Sequence, residues 1–251
     1  MAARDLLQVF ALLHRRFVVI ALVGLAACAT PAPHAARVAS AASVDAAPQA
    51  EATPPPWERI REEDGIVVDR REVAGSPVIA FRGEGVVGAS LVRVAGVLVD
   101  VARSPEWVDR VVEARELRRL GPTTSISYSH VKSPLLVSDR DFVLRGTLEI
   151  ARGRVVIRIR SVDDDAMPPA RFVRGEVIDS SFVLTSEGSE STRVVAEIHA
   201  DPKGSLPTWM VNLVQRSWAV KTIRALRTQV TKPDVIDPPW LTELVASASV
   251  P

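Results

Sequence analysis

Cysteine is almost absent from this chain: Cys28 is the only one in 251 residues. That excludes a disulfide framework and thiolate-held metal in the remainder, so stability must come from a buried apolar core. Net charge is also absent. The whole chain stands at +1, and without residues 1–27 it carries 28 basic against 29 acidic side chains, which argues against a nucleic-acid surface. No internal repeat is visible, and no apolar run reaches the roughly 20 residues a membrane-spanning helix needs. Gly-x-Ser-x-Gly and His-Glu-x-x-His motifs are missing too. Of four histidines, His14 and His34 precede the region that can fold, leaving His130 and His199. The run Asp163-Asp164-Asp165 lacks the glycine and distal glutamate of a calcium loop and reads as a solvated turn. No metal or cofactor is expected.

What is present begins at the N-terminus. Arg15 and Arg16 precede an apolar run from Phe17 to Ala27, a positive flank and short apolar core that read as a secretory signal over residues 1–27. The closing Leu25-Ala26-Ala27-Cys28 resembles a bacterial lipobox, which implies that Cys28 is acylated and becomes residue one of a mature lipoprotein. The competing reading is a signal-peptide cysteine that is discarded. In that resemblance Ala29, where an aspartate would retain the protein at the inner membrane, implies an outer-membrane lipoprotein facing the periplasm. The stretch before the apolar run is long, so translation is expected to start downstream of Met1. From Cys28 to Pro56 the chain is Ala, Pro and Ser with almost nothing large, a tether rather than a fold. As a coil it would average about 30 Å end to end.

A domain is expected over residues 57–230. Pro56 and Trp57 open a short predicted helix that ends at Asp64-Gly65, followed by strands from Ile66 to Glu72 and Val78 to Val87. Ser90 is placed to cap a helix whose Leu91, Val94, Leu98 and Val101 share one face. A helical turn restarts at Ser104-Pro105 and runs through Trp107. Beyond Val111 the pattern is strands: Phe142, Leu144, Gly146, Leu148 and Ile150 alternate with polar neighbours, as do Val155, Ile157 and Ile159, and Val194, Ala196 and Ile198. One long helix remains, Thr208 to Gln229, with Val211, Val214, Trp218, Thr222 and Ala225 in a stripe. A sheet with one apolar face must be covered, and this helix is the available cover. Residues 231–251 read as a tail.

Two short motifs give this pattern a family. Ser138-Asp139-Arg140-Asp141-Phe142-Val143 and Asp201-Pro202-Lys203-Gly204-Ser205-Leu206-Pro207, with Trp209 and Asn212 after the second, resemble the START domain. Weaker echoes stand in the expected order: Trp57 before Asp64-Gly65-Ile66, Asp100 before Trp107, and Val173-Arg174. The resemblance implies an α+β helix-grip fold, a curved antiparallel sheet around a long C-terminal helix with a central apolar cavity. It implies a lipid or other apolar small molecule as partner, bound without a cofactor by a monomer that meets its membrane through the N-terminal anchor. The cavity wall is then Phe142, Leu144, Leu148, Val194, Ala196, Val211, Val214 and Trp218. The entrance is Leu135 and Leu136 of the loop before the Arg-Asp-Phe strand, meeting Met210 and Leu213. In some sterol-binding members an arginine six residues beyond the motif arginine pairs with an acid of the preceding strand. Here Gly146 stands at that place and Ser125 to His130 contain no acid, so polar anchors fall to Ser125, Ser127, Ser129 or Tyr128, with the strand's register open. Asp139, Arg140 and Asp141 are read as a structural ion pair at a strand start.

Two other classes compete with a lipid carrier or sensor. A structural lipoprotein would have a filled core with the same stripes. A cyclase- or hydrolase-type enzyme of the same superfamily would need an acid and base paired inside the cavity.

Overall fold

The computed structural model describes residues 55–133, 137–164, 167 and 171–248. Its elements are β1 (Glu58–Glu63), β2 (Ile66–Arg71), β3 (Ala80–Val87), α1 (Leu91–Val99), a 3-10 helix (Val101–Glu106), β4 (Val111–Gly121), β5 (Thr124–Val131), β6 (Arg140–Ala151), β7 (Arg154–Ser161), β8 (Val173–Arg174), β9 (Glu176–Ser186), β10 (Thr192–Asp201), α2 (Thr208–Gln229) and α3 (Pro239–Ser247). The strands make one sheet in the order β1-β2-β3-β10-β9-β7-β6-β5-β4, every neighbour antiparallel, with β8 alongside β6 in parallel. A long C-terminal helix on a curved antiparallel sheet is the helix-grip arrangement the sequence predicts.

The first element departs from the sequence reading. Residues 58–63 form a strand, not a helix, paired with β2 from Glu58 opposite Arg70 to Glu63 opposite Ile66. Asp64 and Gly65 turn the hairpin with φ of 54° and 66°, the left-handed pair that matches the twist of two strands. The charged run Glu58-Arg59-Ile60-Arg61-Glu62-Glu63 has ample helix propensity, but Asp-Gly after it is a hairpin signal and the pairing overrides the propensity.

Ser90 caps α1 as expected, its side chain accepting from the Arg93 N–H at 3.2 Å. Leu91, Val94 and Val97 are buried, Leu98 packs on the core at its edge, and the chain tightens into the 3-10 helix before Val101 can join the stripe. The main core gathers Ile66, Val68, Val94, Val155, Leu184, Val194, Ile223 and Leu226 between sheet, α1 and α2. A smaller cluster of Ile126, Tyr128 and Val143 lies on the opposite face of the sheet under Leu117, Val162 and Met167.

α2 comes so close to β3 that a side chain at Gly83 would stand 2.6 Å from the Ala219 Cβ. Only a glycine admits the helix at that distance. Residues 231–248 are no loose tail. Arg93 holds Asp237 at 2.7 Å and Arg103 holds Asp234 at 2.8 Å, which delivers α3 onto α1 and β6 with Leu241 fully buried.

Candidate ligand-binding site

Strand register sorts the side chains into faces. Ser127 lies opposite Leu144, Leu144 opposite Ser161, and Leu148 opposite Ile157. Ile157 lies opposite Phe182, Phe182 opposite Ala196, and Ala196 opposite Gly83, beneath α2. Directly opposed residues share a face, so these and their alternate neighbours form the inner face. Phe182 confirms the assignment, its ring centroid 6.1 Å from that of Trp218 on α2. Ser125, Ser127 and Ser129 therefore point inward, while Tyr128 points outward into the smaller cluster. There burial pushes its phenol above the ordinary range, and Arg115 lies over the ring at 5.3 Å.

α2 does not lie along the middle of this face. It packs on β2, β3 and β10. Val194 and Ala196 of β10 are fully buried beneath it, a floor under the helix, and Val211 is buried on the helix itself. Phe142, Leu144, Leu148, Ile150 and Ile159 also face inward, yet they are only partly buried, as is Trp218 on the helix above. They form the partly open stretch of the inner face on β6 and β7, with Leu148, Ile150, Ile159 and Trp218 packed at the edge of the core. Val214 precedes Trp218 by one helical turn and is 51% exposed, so it stands out to solvent rather than on the inner face with the rest of its stripe. Phe142 is held by a close approach: a side chain at Gly175 would meet its ring at 2.4 Å.

The two sequence motifs meet at the start of β6. Arg140 donates to the main-chain oxygens of Pro202 at 3.2 Å and Lys203 at 3.1 Å, to the Ser138 oxygen, and to the Ser133 hydroxyl at 3.3 Å. Burial pulls its guanidinium below the usual arginine range. Asp141 takes Arg174 in a two-pronged pair at 2.9 and 3.1 Å, which raises the Arg174 pKa, and Arg174 also donates to the Met167 oxygen. Asp139 accepts from the Ser133 N–H at 2.9 Å and contacts His130 Nε2 at 2.8 Å, and these bonds, the main-chain one first, hold its carboxyl below the usual range. All three charges of the motif are thus engaged in architecture. Lys203 and Gly204 turn with φ of 53° and 75°, and Asn212 of α2 accepts from the Ile79 N–H at 3.1 Å.

Of the proposed entrance residues, Leu135 and Leu136 lie outside the described residues, as does Cys28. Met210 is partly buried near the start of α2. Leu213 is 59% exposed and, with Trp209 at 65%, turns to a groove of about 580 Å³ between α2 and the inner side of β1 to β3, where Ile60, Ile79 and Phe81 form the base. That groove lies across the helix from Trp218. Sequence reasoning also missed two inward polar residues, Ser180 and Gln215. Gln215 was legible, since a glutamine four residues after Val211 and three before Trp218 interrupts an apolar stripe.

This fold and this pair of motifs define a class, and comparison with known proteins agrees. The profile of the START domain family matches residues 38–233, and the chain belongs to that family. Among proteins of similar sequence, an uncharacterised protein of Pseudomonas aeruginosa is 27% identical over 177 residues, covering 70% of this chain and 87% of that one. Mouse phosphatidylcholine transfer protein is 26% identical over 171 residues, 66% of this chain and 77% of its own. Among solved structures, human STARD10 superposes with a TM-score of 0.68 at 22% identity, over 75% of this chain and 81% of that one. A STAR-related lipid transfer protein fragment from Xanthomonas axonopodis gives 0.63 at 29% identity, over 70% of this chain and 99% of the fragment.

Proposed function

We propose that this protein binds a lipid in the cleft between α2 and strands β5 to β7, and carries or senses it at the bacterial envelope without catalysing a reaction. The observation that carries the reading is the inner face itself. Leu144, Leu148 and Ile159 of the inner face, and Trp218 of α2, are all only partly buried, while α2 packs on β2, β3 and β10. Covering such surface is worth about 25 cal/mol per Å², so an apolar ligand completes what the protein's own helix does not. The likeness to a phosphatidylcholine transfer protein supports a lipid as that ligand.

The lipobox at Cys28 supports attachment to the outer membrane, with the domain, a monomer, reaching into the periplasm on its Ala/Pro-rich tether. Several acyl chains, at about 0.8 kcal/mol per buried methylene, hold a protein to a bilayer where a single chain does not.

Native mass spectrometry of the protein purified from its own host tests the binding. A stoichiometric adduct of lipid mass is expected, and a chain free of any adduct, which also fails to take fluorescent lipid from vesicles, would remove the lipid reading in favour of a structural lipoprotein. Detergent partitioning tests the anchor: Cys28→Ser should move the processed protein into the aqueous phase.

A further inference from the structure

Two polar atoms between the sheet and α2 have no hydrogen-bond partner among the described residues. Ser180 and Gln215 are each only 7% exposed, and the Ser180 Oγ and Gln215 Oε1 are both buried without a hydrogen bond. An unpaired buried polar group costs roughly 1–3 kcal/mol, so two between the sheet and α2 require an explanation. The Gln215 amide is oriented by its other end: its Nε2 donates to the Ala200 oxygen at 2.5 Å, and a carbonyl can take only a donor, so the free atom is an acceptor.

Strand register and the bond to Ala200 set the two residues toward the same end of the inner face. Ser180 lies opposite Ile159 on β7 and Ile198 on β10, two residues before Phe182 on the inner face. Gln215 lies three residues before Trp218, the partner of Phe182. Its bond to Ala200, which pairs with Val177 of β9, sets it at the level of the β9 segment that carries Ser180. Serine on the sheet and glutamine on the helix thus face each other across the interior, one step toward the Arg140 end from the Trp218–Phe182 contact.

The demand they make is specific. Gln215 Oε1 needs a donor, and the Ser180 hydroxyl gives or takes a hydrogen bond. A ligand hydroxyl satisfies both at once. A phosphodiester with a quaternary amine has no donor and would leave Gln215 unpaired. A charged group would lose its hydration with nothing opposite to repay it. The inner-facing residues of β7, β9 and β10 beside the pair carry no charge, and the inner-facing Glu116 and Arg119 of edge strand β4 pair with each other at 2.5 Å. Resting on the lipid-binding reading above, we propose that Gln215 and Ser180 form a polar subsite which selects an uncharged lipid bearing a hydroxyl group.

The test uses the full chain carrying Cys28→Ser, loaded from vesicles containing either fluorescent diacylglycerol or fluorescent phosphatidylcholine with the same acyl chains. Diacylglycerol should load preferentially. Gln215→Met and Ser180→Ala should each lower diacylglycerol loading about tenfold, the value of one hydrogen bond of about 1.4 kcal/mol, and leave phosphatidylcholine loading unchanged. Gln215→Met also gives up the bond to Ala200, so if its melting temperature falls sharply the Ser180→Ala result decides. Equal loading of both lipids by the unsubstituted chain, or a preference that survives Ser180→Ala, overturns the subsite while leaving a lipid-binding cleft in place. Failure to load either lipid overturns the cleft and the subsite together.

Discussion

Arg140 and Lys203, sixty-three residues apart in the chain, are joined by a hydrogen bond of 3.1 Å from a guanidinium N–H to a main-chain oxygen. With its companion to Pro202, this bond fastens the turn that launches α2 to the first residue of β6. The Arg-Asp-Phe and Asp-Pro-Lys-Gly motifs are therefore two halves of one clasp. Arg140→Met should leave several half-buried oxygens unpaired and cost roughly 2–4 kcal/mol in urea unfolding. Arg140→Lys should recover little of it, because a single ammonium cannot span the same oxygens. A lysine variant as stable as the parent would show that charge alone matters.

The contact between Gly83 and Ala219 sets how deeply α2 sits. Gly83→Ala should cost about 1–3 kcal/mol by overpacking, since the new methyl has no space. Ala219→Gly should cost about 1 kcal/mol through helix propensity alone. Combined, the two should cost less than their sum by at least 0.5 kcal/mol, because the second opens space for the first. Strict additivity in thermal melts would mean that the helix does not meet the strand here.

Leu144→Trp separates a cleft from a filled core. In a cleft the indole occupies ligand space, so uptake of fluorescent lipid should be lost while the melting temperature of the empty protein changes by only a few degrees. In a filled core the same change would cost about 1–3 kcal/mol.

His199 gives the fold an acid limit. It is buried on the outer face with Nε2 3.0 Å from the Ser76 hydroxyl, and burial pushes its imidazole below the ordinary value of 6.5. The Val78 main chain, Asp179 and Asp201 raise it, and Arg71 lowers it, without reversing that direction. A histidine with a depressed folded pKa binds its proton more readily when unfolded, so its stabilising contribution is intact above about pH 6.5 and is lost as pH falls from there toward the folded value. Melting temperature should hold steady above that point and decline below it. His199→Gln should flatten this limb. Asp139, held below its ordinary 3.8, acts only at lower pH, so the two windows are distinguishable.

Much of this was written plainly in the chain. The span of α2, the alternation of β6, β7 and β10, and the Ser90 cap all follow from period and capping chemistry, which depend on neighbours in sequence. What escaped depends on neighbours in space. The β1 strand exists because β2 is there to pair with it, and α3 reads as a tail until Arg93 and Arg103 are seen to hold its approach. The serines of β5 and Tyr128 could not be assigned to a face until β6 supplied a register. Val214 looked equivalent to Trp218 in the helix stripe and Leu213 was read as an entrance residue, but the helix sits off-centre, exposing Val214 and turning Leu213 to a different groove.

That off-centre helix also divides the sheet dynamically. One flank, β2, β3 and β10, has its inner face covered by α2, whereas on β6 and β7 Val155 and Ile157 are buried but Leu144, Leu148, Ile150 and Ile159 stay partly open. Amide protons of the first flank should exchange at a rate set by global unfolding in every state. Those of the second should exchange faster in the empty protein and slow on loading, so occupancy of the cleft becomes readable in the backbone of one half of a single sheet.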